Sequence, residues 1–124
     1  MHKFLFFILL NSYLLSEIFL VPTDDHPTIQ SGIDAAESYV DENGNDEEVI
    51  VKVAPGIYEE NLQITRSITL ASYAMDDDLT NWLHELDIWQ VVNDNINNTI
   101  IDGGTATQED DLGSTILIYS DDDT

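Results

Sequence analysis

Short runs rich in Ile, Val and Thr recur along most of this chain, and the links between them are too irregular for tight two-residue hairpins. They fall at Val49–Val53, 61–64, 67–72, 99–102 and 114–119, with Pro55 and Gly56 turning the chain after the first. Within that first run the apolar period is two, the spacing of a strand. Short strands joined by brief turns are what a solenoid of stacked coils produces. An antiparallel sandwich has the same periodicity, so the pattern by itself leaves both architectures open.

Ahead of the strands the period is helical. Ile29, Ile33, Ala36 and Val40 recur at i, i+4, i+7 and i+11, with Pro27 before them and Asn43-Gly44 after them. This spacing predicts a helix over 28–40 with one apolar stripe. The start of the chain reads differently. Met1-His2-Lys3 is a short basic opening, and from Phe4 to Val21 only Asn11, Ser12, Ser16 and Glu17 interrupt the apolar character. Pro22-Thr23-Asp24-Asp25 then breaks it. That is the layout of a secretory leader; a membrane anchor is the alternative, since about 20 apolar residues span a bilayer. Glu17 argues against a stable span, where a buried carboxylate costs about 2.5–3.5 kcal/mol. Residues 1–23 are therefore expected to be a signal peptide or N-terminal anchor, with cleavage before Asp24. Residues 24–124 are expected to be the folded part. The protein is then secreted or held at the cell surface, and meets a membrane only through its N-terminal segment.

Charge narrows the partners. The 124 residues hold 25 Asp and Glu against 3 Lys and Arg, a formal charge of −22. Phosphate binding needs clustered Lys and Arg, so a nucleic-acid partner is excluded. The chain has no Cys, which removes disulfides, thiolate metal sites and a catalytic thiol. An apolar fraction of 43% separates it from a disordered acidic tail. Its length suits one domain.

Several of these features occur together. Thr28-Ile-Gln-x-x-Ile-Asp-Ala-Ala is followed by Val51-x-Val53-x-Pro55-Gly56-x-Tyr58-x-Glu60-Asn61-x-x-Ile64, then by Ile68-x-Leu70 and Thr99-Ile-Ile-Asp-Gly103. This string resembles the opening of right-handed parallel β-helix proteins of the pectin-lyase-like superfamily, over 28 to about 119. The resemblance implies an all-β fold: the first coils of a right-handed parallel β-helix, with an N-terminal capping α-helix and a short inserted helix. It also implies a corner at Pro55, Gly56 and Tyr58, and a polysaccharide as partner. Working Asp, Arg, Lys or His residues in that superfamily lie on later coils. No catalytic motif of the family matches a position in this chain, so no catalytic residue is carried over.

The insertion between Ser72 and Thr99 is the departure from that pattern. Asp76-Asp77-Asp78 leads into an expected helix with Trp82, Leu86 and Trp89 on one side. Trp82 and Trp89 are the candidate carbohydrate contacts, because aromatic rings stack on sugar faces; fastening the inserted helix to the coil wall is the competing role. His84-Glu85-Leu86-Asp87 lacks a second histidine four residues on, where Ile88 stands, so it is not a zinc motif. Calcium is the one cofactor the acid runs suggest. Asp41, Asn43 and Asn45 open like an EF-hand loop, but Asp46 replaces its glycine and Lys52 its final glutamate. With 25 acids, carboxylate pairs at glycosidase spacing arise by chance. No phosphate loop or nucleophile elbow is present. Arg66 falls at a turn, where solvation is its expected role. Asn97-Asn98-Thr99 is a glycosylation sequon in a eukaryotic secretory pathway.

About three coils are expected, near the roughly three repeats that a solenoid needs, and no closing cap follows. The chain therefore reads as the N-terminal piece of a longer protein whose remaining coils are its natural partner. Two functions fit. In one, the chain is the structural, non-catalytic start of a secreted polysaccharide-binding or polysaccharide-acting protein, the full-length protein being a pectin-type lyase, esterase or glycoside hydrolase. In the other, the β-rich stack is a non-enzymatic adhesin or spacer. Fold class alone does not choose between them.

Overall fold

A computed structural model describes residues 16–80, 93–104 and 114–120. They form seven short strands, one well-formed helix and two single helical turns. Strand β1 is Glu17–Val21, helix α1 is Ile29–Asn43, and β2 to β5 are Val49–Val53, Gly56–Tyr58, Leu62–Ile64 and Thr69–Ser72. A 3-10 turn at Tyr73–Asp76 follows, then the four-residue helix α2 (Asp94–Asn97), β6 (Thr99–Ile101) and β7 (Ile116–Ile118).

Every pairing is parallel. One sheet has the order β1-β2-β5; β3 pairs with β6, and β4 with β7. The chain thus passes through the three sheets in the order β2, β3, β4, and again in the order β5, β6, β7. Residues in register across a parallel pair share a face. Phe19, Val51 and Leu70 therefore line up, as do Val21, Val53 and Ser72. Leu62 with Ile116 and Ile64 with Ile118 form matching rows in the third sheet. The sheets are β-rich and parallel, and the antiparallel sandwich left open by periodicity is not what these strands build.

Helix α1 begins where the sequence predicts and runs three residues further. Thr28 caps it: its hydroxyl accepts from the Ser31 amide, and the Ser31 hydroxyl accepts from the Thr28 amide. Gly44 ends it, its amide returning to the Val40 carbonyl. The apolar stripe is the expected one. Ile29, Ile33 and Ala36 are fully buried, against Val21, Val49, Val51, Val53, Leu62 and Ile64. Each fully buried Ile contributes about 1.5–3 kcal/mol. Gly32 lies in the same seat: a Cβ there would come within 2.4 Å of Val21 Cγ2 and 3.2 Å of Val51 Cγ1. The helix packs on β1, β2 and β4.

Two strands lie where the sequence suggests other things. Gly56, read as a turn with Pro55, starts β3. Glu17–Val21, inside the segment expected to be a leader, is paired with β2 along its whole length. Val21 is 1% exposed and belongs to the core. A leader ending at residue 23 and this strand are alternative fates for the same residues. The expected inserted helix, with Trp82 and Trp89, falls at 81–92, outside the described residues; so do two of the acid runs that suggest calcium, Glu109–Asp111 and Asp121–Asp123. On either side of 81–92 lie the Tyr73–Asp76 turn and α2, neither of which the sequence predicts.

Candidate functional site

The densest polar arrangement lies where α1 meets β4. Gln30, Glu37 and Asp41 fall at i, i+7 and i+11 on α1, beside the apolar stripe and turned towards the strand. Glu60, just before β4, spreads its carboxylate over the helix start: Oε2 accepts from the Ile29 amide and Oε1 from the Gln30 amide, both at 3.0 Å. The first amides of a helix have no partner within it and carry its positive end, so a carboxylate satisfies both needs. Gln30 and Gln63 pair through a matched set of bonds. Gln30 Nε2 donates to the Gln63 carbonyl at 3.1 Å, and the Gln63 amide donates to Gln30 Oε1 at 2.9 Å. Two turns on, Glu37 accepts from the Thr65 amide at 2.8 Å and its hydroxyl at 2.6 Å. Arg66 Nε donates to Asp41 at 2.8 Å. Arg66 is therefore an ion-pair partner of the helix, where solvation was expected.

The corners are closed in the same way. Tyr58 donates its hydroxyl to the Ala54 carbonyl at 2.7 Å, spanning the Pro55-Gly56 bend. Burial first, then the Glu60 carboxylate, pushes its ionisation above the usual tyrosine range. Asn61 Nδ2 donates to the carbonyls of Gly103 and Ser114 at 3.2 and 3.1 Å, tying the two passes together. Gly103 leaves no room beside it. A Cβ there would come within 2.7 Å of Thr115 Oγ1 and 2.9 Å of both Asn61 Nδ2 and the Thr115 Cα.

Two acidic regions were candidates for cation binding. Asp76 is paired with Lys52, whose ammonium also lies 4.9 Å from the centre of the Tyr73 ring. Asp77 accepts from Asn95 at 2.8 Å and Asn93 at 3.0 Å, and these bonds hold its carboxyl below the usual range. The Thr80 hydroxyl and amide do the same for Asp78. Asp41 and Asn43, which open the EF-hand-like string, are in the last turn of α1, and Asn43 donates to the Tyr39 carbonyl. Among the described residues no three His, Asp or Glu side chains converge as a metal shell. A polar cleft of about 300 Å³ does lie between Asn45–Val49 and 67–69. There Glu47 accepts from the Tyr39 hydroxyl and Glu48 from the Thr69 hydroxyl, at 3.4 and 3.3 Å. Burial and the Glu47 and Glu17 carboxylates raise the Tyr39 ionisation.

His26 is part-buried, its ring edge-on to Phe19 at 5.8 Å, with Tyr39 on the same Phe19 at 6.1 Å. His84, Glu85 and Asp87 lie outside the described residues, as do the candidate sugar contacts Trp82 and Trp89. An apolar cleft of about 290 Å³ opens between Val53, Leu70, Ile96, Thr99, Ile101 and Ile116. Ile116 and Ile118 point to the same side as buried Leu62 and Ile64, yet are 39% and 72% exposed. No helix among the described residues is long and apolar enough to cross a membrane.

Comparison of the chain with protein-family models, curated proteins and solved structures finds no match.

Proposed function

We propose that the described residues are the capped first coils of a right-handed parallel β-helix, and that their role is structural. In this reading α1 closes one end of the stack, and coils of the same kind continue from the β5, β6 and β7 end. The protein is exported to the surface or medium, where its longer chain binds or acts on a polysaccharide. Support for the fold comes from the all-parallel pairing and the repeated order of the three sheets. The likeness of Thr28-Ile-Gln and Pro55-Gly56-x-Tyr58-x-Glu60-Asn61 to pectin-lyase-like proteins supports the polysaccharide.

One observation carries the structural role. The polar side chains of Gln30, Glu37, Tyr58, Glu60 and Asn61 are each bonded to backbone across the cap and corners. A general acid or base has to reach a substrate proton instead. The test is to incubate the purified chain with polygalacturonate and other acidic and neutral polysaccharides, following new reducing ends and unsaturated products. Product formation at the rate of buffer alone is expected; cleavage above that rate contradicts a non-catalytic role.

A further inference from the structure

We propose that Glu17–Val21 stays in the finished protein as the edge strand of the β1-β2-β5 sheet, so that any removal of the leader ends at or before Ser16 and not at the polar break before Asp24. This rests on the export reading. Five consecutive pairs, from Glu17 with Val49 to Val21 with Val53, join β1 to β2. The pairing is closed at both ends, where the Glu17 amide donates to the Glu48 carbonyl at 3.1 Å and the Ala54 amide to the Val21 carbonyl at 2.9 Å.

The cap is shaped around this strand. Val21 occupies the space that a side chain at position 32 would need, and only glycine there lets α1 come down on the sheet. Phe19 sits against Tyr39 of the helix and His26 of the connecting turn. That turn is itself built, with the Thr23 amide donating to the His26 carbonyl and the His26 amide to the Thr23 hydroxyl. A cut before Asp24 removes β1 entire. It bares the edge of β2, uncovers Val51 and Val53 where Phe19 and Val21 lie in register, and leaves α1 without part of its seat.

The sequence accommodates both tasks without overlap. Lys3 and the twelve residues 4–15 supply a basic start and an apolar core within the 7–15 residues that leaders use. Ser16 is a small residue at the junction, and Glu17 is the first charge after Lys3. The step is hydrolysis of one peptide bond by the export machinery's leader protease. Water supplies the hydroxyl of the leader's new carboxyl group and a proton of the new amino terminus.

The experiment is to express the full chain in an exporting host, take intact masses of the exported protein, and follow deuterium uptake of the purified protein. An exported chain beginning at Glu17 or upstream, an uncut one included, is the expected result. A first residue anywhere from Ile18 to Asp24 overturns the proposal. Deuterium uptake across Glu17–Val21 is expected to include amides at least about 100-fold slower than those of the exposed Thr23–Asp25 turn; uptake as fast as that turn overturns it. Failure of the chain to leave the cell overturns the export reading, and the exchange rates still decide the strand.

Discussion

The carboxylate of Glu60 joins two parts of the chain 30 residues apart, and its two oxygens have different helix amides to satisfy. Glu60→Gln keeps the shape but aims an amide N–H at a backbone N–H. A loss of about 1.5–3 kcal/mol is expected, the range for hydrogen bonds to charged groups, read as a lower urea midpoint with faster exchange at Ile29 and Gln30. Gly32→Ala tests the fit of α1 on β1 by overpacking, with an expected loss of about 1–3 kcal/mol. Adding Val21→Ala makes room, and the pair is expected to be less destabilised than the sum of the single changes. Tyr58 gives a pH signature. Its ionisation is raised in the folded state, so its contribution is complete below the ordinary tyrosine value of 10.0 and falls as pH rises above it. Tyr58→Phe is expected to lose about 0.5–1.5 kcal/mol at neutral pH and to flatten the alkaline part of the stability profile. Asp77 works in the opposite direction: its lowered ionisation gives stability above the ordinary carboxylate range that is lost as pH falls through the folded-state value.

At the scale of elements, the apolar periods were the legible part. The 3.6-residue spacing of Ile29, Ile33 and Ala36 finds the buried face of α1, and the alternation in Val49–Val53 finds the central strand. β3 is hidden because Pro55-Gly56 looks like a turn, and a three-residue strand has no period of its own. β1 is hidden because its apolar residues run on from those before Ser16, so composition merges a strand with a leader. The polar seam escaped for another reason. Gln30, Glu37 and Asp41 resemble a solvated helix face, and only their partners across 25 to 33 residues give them a role. The i, i+7, i+11 spacing beside the apolar stripe was the available signal. Gly103, by contrast, stood in the Thr99-Ile-Ile-Asp-Gly string, and the structure gives a reason: the corner is closed against Thr115 and Asn61. Gly103→Ala is expected to separate the second pass from the first, read as faster exchange in β7 and a melting temperature several degrees lower, about 4–8 °C for each kcal/mol lost.

For the molecule as a whole, a charge of −22 opposes compaction; among the described residues Lys52 pairs with Asp76 and Arg66 with Asp41. Screening at 1 M salt shortens the reach of that repulsion to about 3 Å. The urea midpoint is therefore expected to rise from 0.05 M to 1 M NaCl, and equally in KCl. Calcium at matched ionic strength separates screening from a specific site: a midpoint no higher than in NaCl assigns the effect to screening, and a rise at millimolar calcium assigns it to bound ion. In the reading proposed above, the strands form a parallel stack closed at one end by α1. It is tested most directly by cross-strand nuclear Overhauser contacts in the isotope-labelled protein. Contacts in parallel order are expected, Ile50 with Thr69 and Lys52 with Ala71, together with Gly56 to Thr99 and Leu62 to Ile116. Contacts whose order reverses along the strand, Ile50 with Ala71 and Lys52 with Thr69, would contradict it.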